Sequence, residues 1–308
     1  GHVLSEVLTP GAFERLERKV SLDFLEPVKR SVAGCGTRKL LLPMADGHLI
    51  ESVVIPNPSR TTVCVSSQVG CARGCQFCMT ATMGIIRNLK VHEIVGQVVA
   101  AIHEAKNAGL APIRNVVFMG MGEPLDNLNT VEKALEILTH DRALGLSPNH
   151  ITVSTVGGSA PKLRRLGKLP AQIAWSVHAA QESLRKQLVP TTQGSMENMR
   201  DVFAEILREN NQTVFVEVTL MDGVNDSDEC ARHLVNFLKP CPGDVRVNLL
   251  PLNEGREGLM PSSDERVEAF AGVVAASGIR TLIRTPRGQE ENAACGQLVV
   301  LEERGSRI

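Results

Sequence analysis

The sequence predicts an α/β protein: a partial (β/α)6 barrel, TIM-like but incomplete, with a small helical and hairpin extension at its amino end. Three observations predict it. Short β-branched segments alternate with helix-length amphipathic segments from residue 60 to residue 285. That alternation implies parallel strands joined by right-handed crossovers. The units number about six, fewer than the eight that close a full barrel.

Residues 1–38 read as a helical lead-in, with Phe13, Leu16 and Val20 on one face and Arg15, Arg18 and Lys19 on a solvated basic face. Residues 39–55 read as a hairpin around the turn Asp46-Gly47, with Glu51 in its second arm. Pro56 and Pro58 break the chain, which divides it into 1–58, a main unit 59–285 and a terminal segment 286–308. Strands are expected at 61–67, 115–120, 151–155, 172–178, 213–221, 244–252 and 279–285. Helices are expected at 91–109, 130–140, 162–167, 196–210, 227–239 and 263–278. Gly109 suits a helix stop, and Ser227 and Ser263 or Asp264 suit helix starts. In such folds the polar residues at the carboxyl ends of strands line the site. Gly122-Glu123, Ser154, Ser176, His178, Asn248 and Asn253 occupy such ends.

Composition narrows the function. The 308 residues are 43% hydrophobic and 22% charged, ordinary for a globular chain. No apolar run reaches the length needed to span a bilayer. A net charge of −1 excludes an overall basic footprint, so any RNA site must be a local patch. One Trp, eight Phe and no Tyr exclude a surface that stacks many bases on rings. Eight cysteines do not make a disulfide scaffold here, because Cys71, Cys75 and Cys78 crowd into one loop. Such crowding points to metal binding in a reducing compartment, so the cytoplasm, or an organelle such as a plastid, is the expected location.

Cys71-Ala-Arg-Gly-Cys75-Gln-Phe-Cys78 follows an expected strand. Three thiolates on one loop can ligate three irons of a four-iron cluster and leave the fourth open to substrate. The alternative is a zinc knuckle, which needs a fourth ligand. His92 is the nearest downstream, but it falls inside an expected helix. The C-x3-C-x2-C spacing, with Phe77 before its last cysteine, resembles the radical S-adenosylmethionine (SAM) superfamily. That resemblance implies a [4Fe–4S] cluster on Cys71, Cys75 and Cys78, with SAM on the open iron. The run Met119-Gly-Met-Gly-Glu-Pro124 resembles the loop that holds the amine of SAM in that superfamily.

Two isolated cysteines, Cys64 and Cys295, stand in flanks that extend the resemblance. The segments at 62–71, 87–97, 119–124, 175–179 and 293–298 together resemble the RlmN/Cfr family of RNA methyltransferases, the adenine-C2 branch most closely. The resemblance implies a two-SAM reaction. Cys295 carries a methyl group, a methylene bridge joins it to adenine C2, Cys64 resolves that adduct through a disulfide, and Glu51 removes the C2 proton. It also implies SAM contacts at Gly122, Glu123, Ser154, Ser176, His178 and Asn253, and at Val177 through its backbone. The implied partners are RNA (23S rRNA and tRNA) and an electron donor such as flavodoxin or ferredoxin, with the chain acting as a monomer and without a membrane.

Lys162, Arg164, Arg165 and Lys168, and separately Arg280, Arg284 and Arg287, are candidate phosphate contacts; for the first group a solvated helix face is the alternative. Two rival functions stand beside the main one. One is a Cfr-like methylation at adenine C8, and the other a non-enzymatic iron–sulfur or RNA-binding module.

Overall fold

The computed structural model describes residues 25–191, 193–210, 212–243, 245–253, 258–285 and 287–300. The helix expected over residues 12–20 lies outside them. The first strands are β1 (Lys29–Val32), β2 (Arg38–Pro43), β3 (Leu49–Ile55) and β4 (Thr61–Cys64). A separate small hairpin follows, made of β5 (Gln68–Gly70) and β6 (Ile85–Asn88). Then come β7 (Ile113–Phe118), β8 (Ile151–Thr155), β9 (Gln172–Ser176), β10 (Val214–Leu220), β11 (Val245–Pro251) and β12 (Arg280–Ile283).

All but β5 and β6 join one sheet, in the order β1-β2-β3-β4-β7-β8-β9-β10-β11-β12. From β4 onward every neighbouring pair is parallel. The crossovers carry α1 (Val91–Asn107), α2 (Leu128–Thr139), α3 (Ala160–Leu166), α4 (Glu182–Leu188) with α5 (Met196–Asn210), α6 (Asp228–Leu238) and α7 (Asp264–Ala276). These are the β–α units that the sequence predicts. The sheet stays open, since β1 and β12 are its two edges.

The parallel strands read as near-continuous apolar runs because both faces are covered. Val63, Val116, Ile151, Val153, Ile173 and Val247 are fully buried. Each such side chain contributes about 1.5–3 kcal/mol. Ser227 and Ser263 cap their helices as expected: their hydroxyls accept from the Cys230 and Arg266 amides at 3.1 and 3.3 Å. Either cap is worth about 1 kcal/mol.

The hairpin β2–β3 extends the same sheet, with Val53 of β3 opposite Cys64 of β4. Three elements differ from the sequence expectation. Lys29–Val32 is a strand and not part of a helical lead-in, because β2 offers it an edge to pair with. α4 and the β5–β6 hairpin were not expected. Seven residues show too little periodicity for a helix. The hairpin's short arms are interrupted by the cysteine loop itself.

Candidate active site at the carboxyl ends of the strands

The strand ends enclose an open cleft with about 980 Å³ of empty space, counted to its mouth. Cys71, Cys75, Cys78, Gly122, Glu123, Ser154, Ser176, His178, Asn253 and Cys295 all line it.

The cysteine loop leaves the sheet through β5 and returns through β6. Gly70 makes the closure possible. It holds φ +75°, and a Cβ there would lie 1.9 Å from the Gly84 carbonyl oxygen. The Cys71 amide donates to that same carbonyl at 2.8 Å. Arg87 of β6 then forks onto Glu93 with two bonds of 2.8 Å, and Glu93 also accepts from the Lys90 amide at 2.7 Å, fixing the start of α1. One turn on, buried Gln97 grips Ser66 by both amide (2.7 Å) and carbonyl (3.0 Å). The run from Arg87 to Gln97 therefore holds the frame of the loop. Gly70→Ala should cost about 2 kcal/mol or more, through the positive φ and the backbone clash together. A lowered unfolding midpoint with reduced iron loading would register it; an unchanged protein would refute the close approach.

The three thiols sit close enough that a charge on one raises the proton affinity of the others. Burial pushes Cys71 and Cys75 up to about 12. Among the described residues no three His, Cys, Asp or Glu side chains converge to hold one metal ion, so a zinc knuckle has no site. A four-iron cluster asks for wider spacing, since each thiolate takes a different iron. Two buried arginines flank the loop. Arg73 pairs with Asp126 at 2.6 Å and donates to the Thr191 carbonyl at 3.1 Å. Arg185 of α4 donates to the Val156 and Ser176 carbonyls at 2.7 and 2.9 Å. Arg73 Nε and Arg185 Nε and Nη1 are buried with no protein acceptor. A cluster with three thiolates is anionic and suits these cationic neighbours, so the donor set fits it.

Glu123 is buried, and its two carboxylate oxygens accept from the Leu125 and Val156 amides at 3.0 and 2.9 Å. Burial raises its proton affinity and the charge of Arg73 opposes that. A Cβ on Gly120 would meet the Val65 backbone at 2.8 Å, and one on Gly122 would meet Gln68 at 2.6 Å. Both glycines thus let the loop after β7 lie against the segment after β4. Ser154 and Ser176 meet across adjacent strands at 3.3 Å. His178 holds φ +58°, stacks on Phe77 at 4.4 Å and accepts the Thr219 amide on Nδ1 at 3.1 Å. Burial keeps the ring neutral, so Nε2 carries its proton.

Residues 287–300 cross the open side of the sheet as a strap. Arg287 donates to the Pro56 carbonyl at 2.8 Å, and Glu290 accepts from the Gly34 amide at 3.0 Å. Gly296 accepts from the Met79 amide at 2.7 Å, Leu298 from the Thr80 hydroxyl at 2.6 Å. The strap carries Cys295 to the cleft with its surface open to that space. Cys64, at the end of β4, is buried, and a charge on Cys295 raises its proton affinity further after burial itself. The two isolated cysteines are thus within electrostatic reach of each other, although Cys64 lies outside the cleft lining.

Comparison with known proteins gives the same answer. The Radical SAM superfamily matches residues 65–235. A probable RNA methyltransferase of Sorangium cellulosum (strain So ce56) is 43% identical over 277 residues, 89% of this chain and 69% of that protein. The dual-specificity RNA methyltransferase RlmN of Paracoccus denitrificans (strain Pd 1222) is 41% identical over 92% of this chain and 74% of its own length. The chain belongs to the RlmN family of radical SAM RNA methyltransferases. A solved radical SAM methyltransferase from Sphaerobacter thermophilus superposes with a TM-score of 0.89 at 38% identity, covering 95% of this chain and 86% of that one. As a radical SAM enzyme the chain takes a [4Fe–4S] cluster and SAM.

Most residues expected of an RlmN-family site line the cleft; Val177, Glu51 and Cys64 do not, and Asn253 does so with its side chain engaged. Val177 is fully buried, its amide donates to the Glu217 carbonyl at 2.9 Å and its carbonyl accepts from Ala179 at 2.7 Å. It lies behind the cleft wall because side chains alternate after β9. Asn253 is on the wall, yet its amide is bound to the strap: to the Cys295 carbonyl at 2.9 Å and to Gln289 at 2.8 Å. Glu51 is outside the lining; it pairs with Lys39 at 2.9 Å and accepts the Val299 amide at 2.9 Å. Sequence reasoning missed Arg185 and Glu217. Glu217 had a signal, a lone acid inside the apolar strand Val-Phe-Val-Glu-Val-Thr-Leu. It lines the cleft and accepts from Asn248 at 2.8 Å. Arg185 had none, since a buried arginine looks like a surface one in sequence.

Proposed function

We propose that this RlmN-family enzyme methylates C2 of an adenine in rRNA and tRNA, with Cys295 as methyl carrier, Cys64 as resolving thiol and Glu51 as base. The observation that carries the reading is the position of two isolated thiols: Cys295 lines the same cleft as Cys71, Cys75 and Cys78, and Cys64 lies within electrostatic reach of it. The naming of a relative as dual-specificity RNA methyltransferase RlmN supports RNA as substrate and two classes of it.

When bound, the cluster and SAM supply one-electron chemistry that removes a hydrogen atom from an unactivated carbon. The protein's own groups do the rest. Cys295 sulfur takes a methyl group, and its carbon, less one hydrogen, joins adenine C2. Glu51 takes the proton from C2; burial raises its proton affinity, against the pull of Lys39. The Cys64 thiolate attacks the Cys295 sulfur; the S–C bond breaks with its electron pair on the methylene carbon, that carbon takes a proton to become the methyl group, and a Cys64–Cys295 disulfide is left as the RNA departs. Glu51 serves this step only if Val299 gives up its hydrogen bond, so the strap moves as the base acts. A flavodoxin or ferredoxin supplies the electrons.

Reconstituted enzyme, SAM and a reductant should convert rRNA and tRNA adenines to 2-methyladenosine, read by nucleoside mass spectrometry. Peptide mass analysis should find one added methyl group on Cys295. Finding 8-methyladenosine instead would move the chain to the Cfr-like reading, and active protein without methyl on Cys295 would remove the carrier role.

A further inference from the structure

The structure separates the two basic groups that the sequence offers as phosphate contacts. On the first, Lys162 lies 3.7 Å from Asp126, Arg164 lies 2.8 Å from Glu205, and Arg165 pairs with Glu132. Acids thus engage three of the four cations on that face, leaving out Lys168. The second group sits on β12, at the open edge of the sheet, and its three arginines differ.

Arg284 follows β12 directly. Ile283 is in register with Leu249, and the Arg284 amide donates to the Leu249 carbonyl at 2.8 Å, so the ladder runs one residue further. Arg284 therefore stands beside Leu250, which stands beside Thr219. Residues in register on parallel strands share a face. Leu250 and Thr219 both line the cleft, so Arg284 is third in a row that faces it. No strand follows β12 in the sheet. The row below shows the opening: Asn248 is 6% exposed, while Leu282, in register with it, is 46% exposed.

Arg284 is exposed, and no carboxylate among the described residues pairs with it. Its charge reaches into the cleft all the same. Burial and Glu217 push the Cys295 thiol up, and Arg284 pulls it back; burial pushes Glu217 up, and Asn248 and Arg284 oppose that. The other two arginines do not share this position. Arg287 is tied to the Pro56 carbonyl. Arg280 opens β12, four residues earlier and roughly 13 Å away, on the rim opposite the cleft.

We propose that Arg284 receives a phosphate of the substrate RNA at the open edge of the cleft and so sets the target nucleotide over Cys295. The inference rests on RNA being the substrate. A base that undergoes chemistry must leave its stack and enter a pocket, while its phosphate stays at the mouth. A guanidinium suits that role because its planar fork binds two phosphate oxygens at once.

The test compares cluster-loaded wild type, Arg284→Ala, Arg284→Lys and Arg280→Ala by titration with a labelled RNA hairpin over a range of salt. Arg284→Ala should weaken binding about tenfold or more, and the slope of log affinity against log salt should shrink by about 0.7 to 0.9, one phosphate's worth. Arg284→Lys should keep the slope, and Arg280→Ala should match wild type. SAM binding without RNA should stay unchanged in all four. An Arg284→Ala protein with the wild-type slope overturns the proposal. So does one that loses SAM binding, because the arginine would then hold the SAM carboxylate. Wild type that binds no RNA overturns the RNA reading itself.

Discussion

Changing Cys71, Cys75 or Cys78 to alanine is expected to abolish the iron chromophore and, with it, all cleavage of SAM. The three thiols line one cleft and lie within electrostatic reach of each other. A cluster that keeps one iron open has these three thiolates as its anchors. Removing one leaves two irons without protein ligands. The loss should therefore be total and not graded, and equal for the three positions. The fold should survive. The sheet core lies below the loop, in residues such as Val63, Val116 and Val153, and none of the three cysteines packs among them. Iron analysis, visible absorbance and SAM cleavage under reductant read the outcome, with circular dichroism to confirm folding. A folded variant that cleaves SAM at the wild-type rate would remove the radical SAM assignment of that cysteine.

How much of this was legible in the sequence depends on the range of the interactions. The β–α alternation is a local pattern written by apolar periodicity, so β7 to β12 fall where the residues say. The cysteine triad is local too, within eight residues. The cleft residues Ser154, Ser176 and His178 were legible because strand ends are predictable and polar residues there are few. What escaped depends on distant partners. Glu51 reads as an acid in a hairpin arm, and nothing nearby announces that Lys39 and the Val299 amide hold it. Asn253 reads as a strand-end ligand, but its bonds go to Gln289 and Cys295 in the strap. Whether a cation is free is likewise a tertiary property. Arg164 and Arg284 look alike in sequence, yet one forms an ion pair with Glu205 and the other forms none among the described residues.

Cys64→Ala should separate the two isolated thiols by function. A methylene bridge between Cys295 and adenine is a thioether, stable until another thiol attacks the Cys295 sulfur. Cys64 lies at the carboxyl end of β4, opposite Val53 and Val117, and is 8% exposed. Its position is therefore rigid, and the approach must come from the strap. A disulfide needs Cα atoms about 4.4–6.8 Å apart. The strap can supply that movement, since it is held to the body through single hydrogen bonds at Gly296, Leu298 and Val299. Burial and the neighbouring Cys295 keep Cys64 protonated until the strap rearranges, which guards against premature disulfide formation. Loss of the sulfur leaves a small void worth about 1 kcal/mol, well short of unfolding the chain. The variant should still methylate Cys295 and still cleave SAM, but stall after one turnover with RNA covalently attached. A labelled RNA that migrates with the protein on a denaturing gel would show the adduct, and the double change Cys64→Ala, Cys295→Ala should give none. Multiple turnovers by Cys64→Ala, with free 2-methyladenosine RNA, would overturn the resolving role and assign release to another nucleophile.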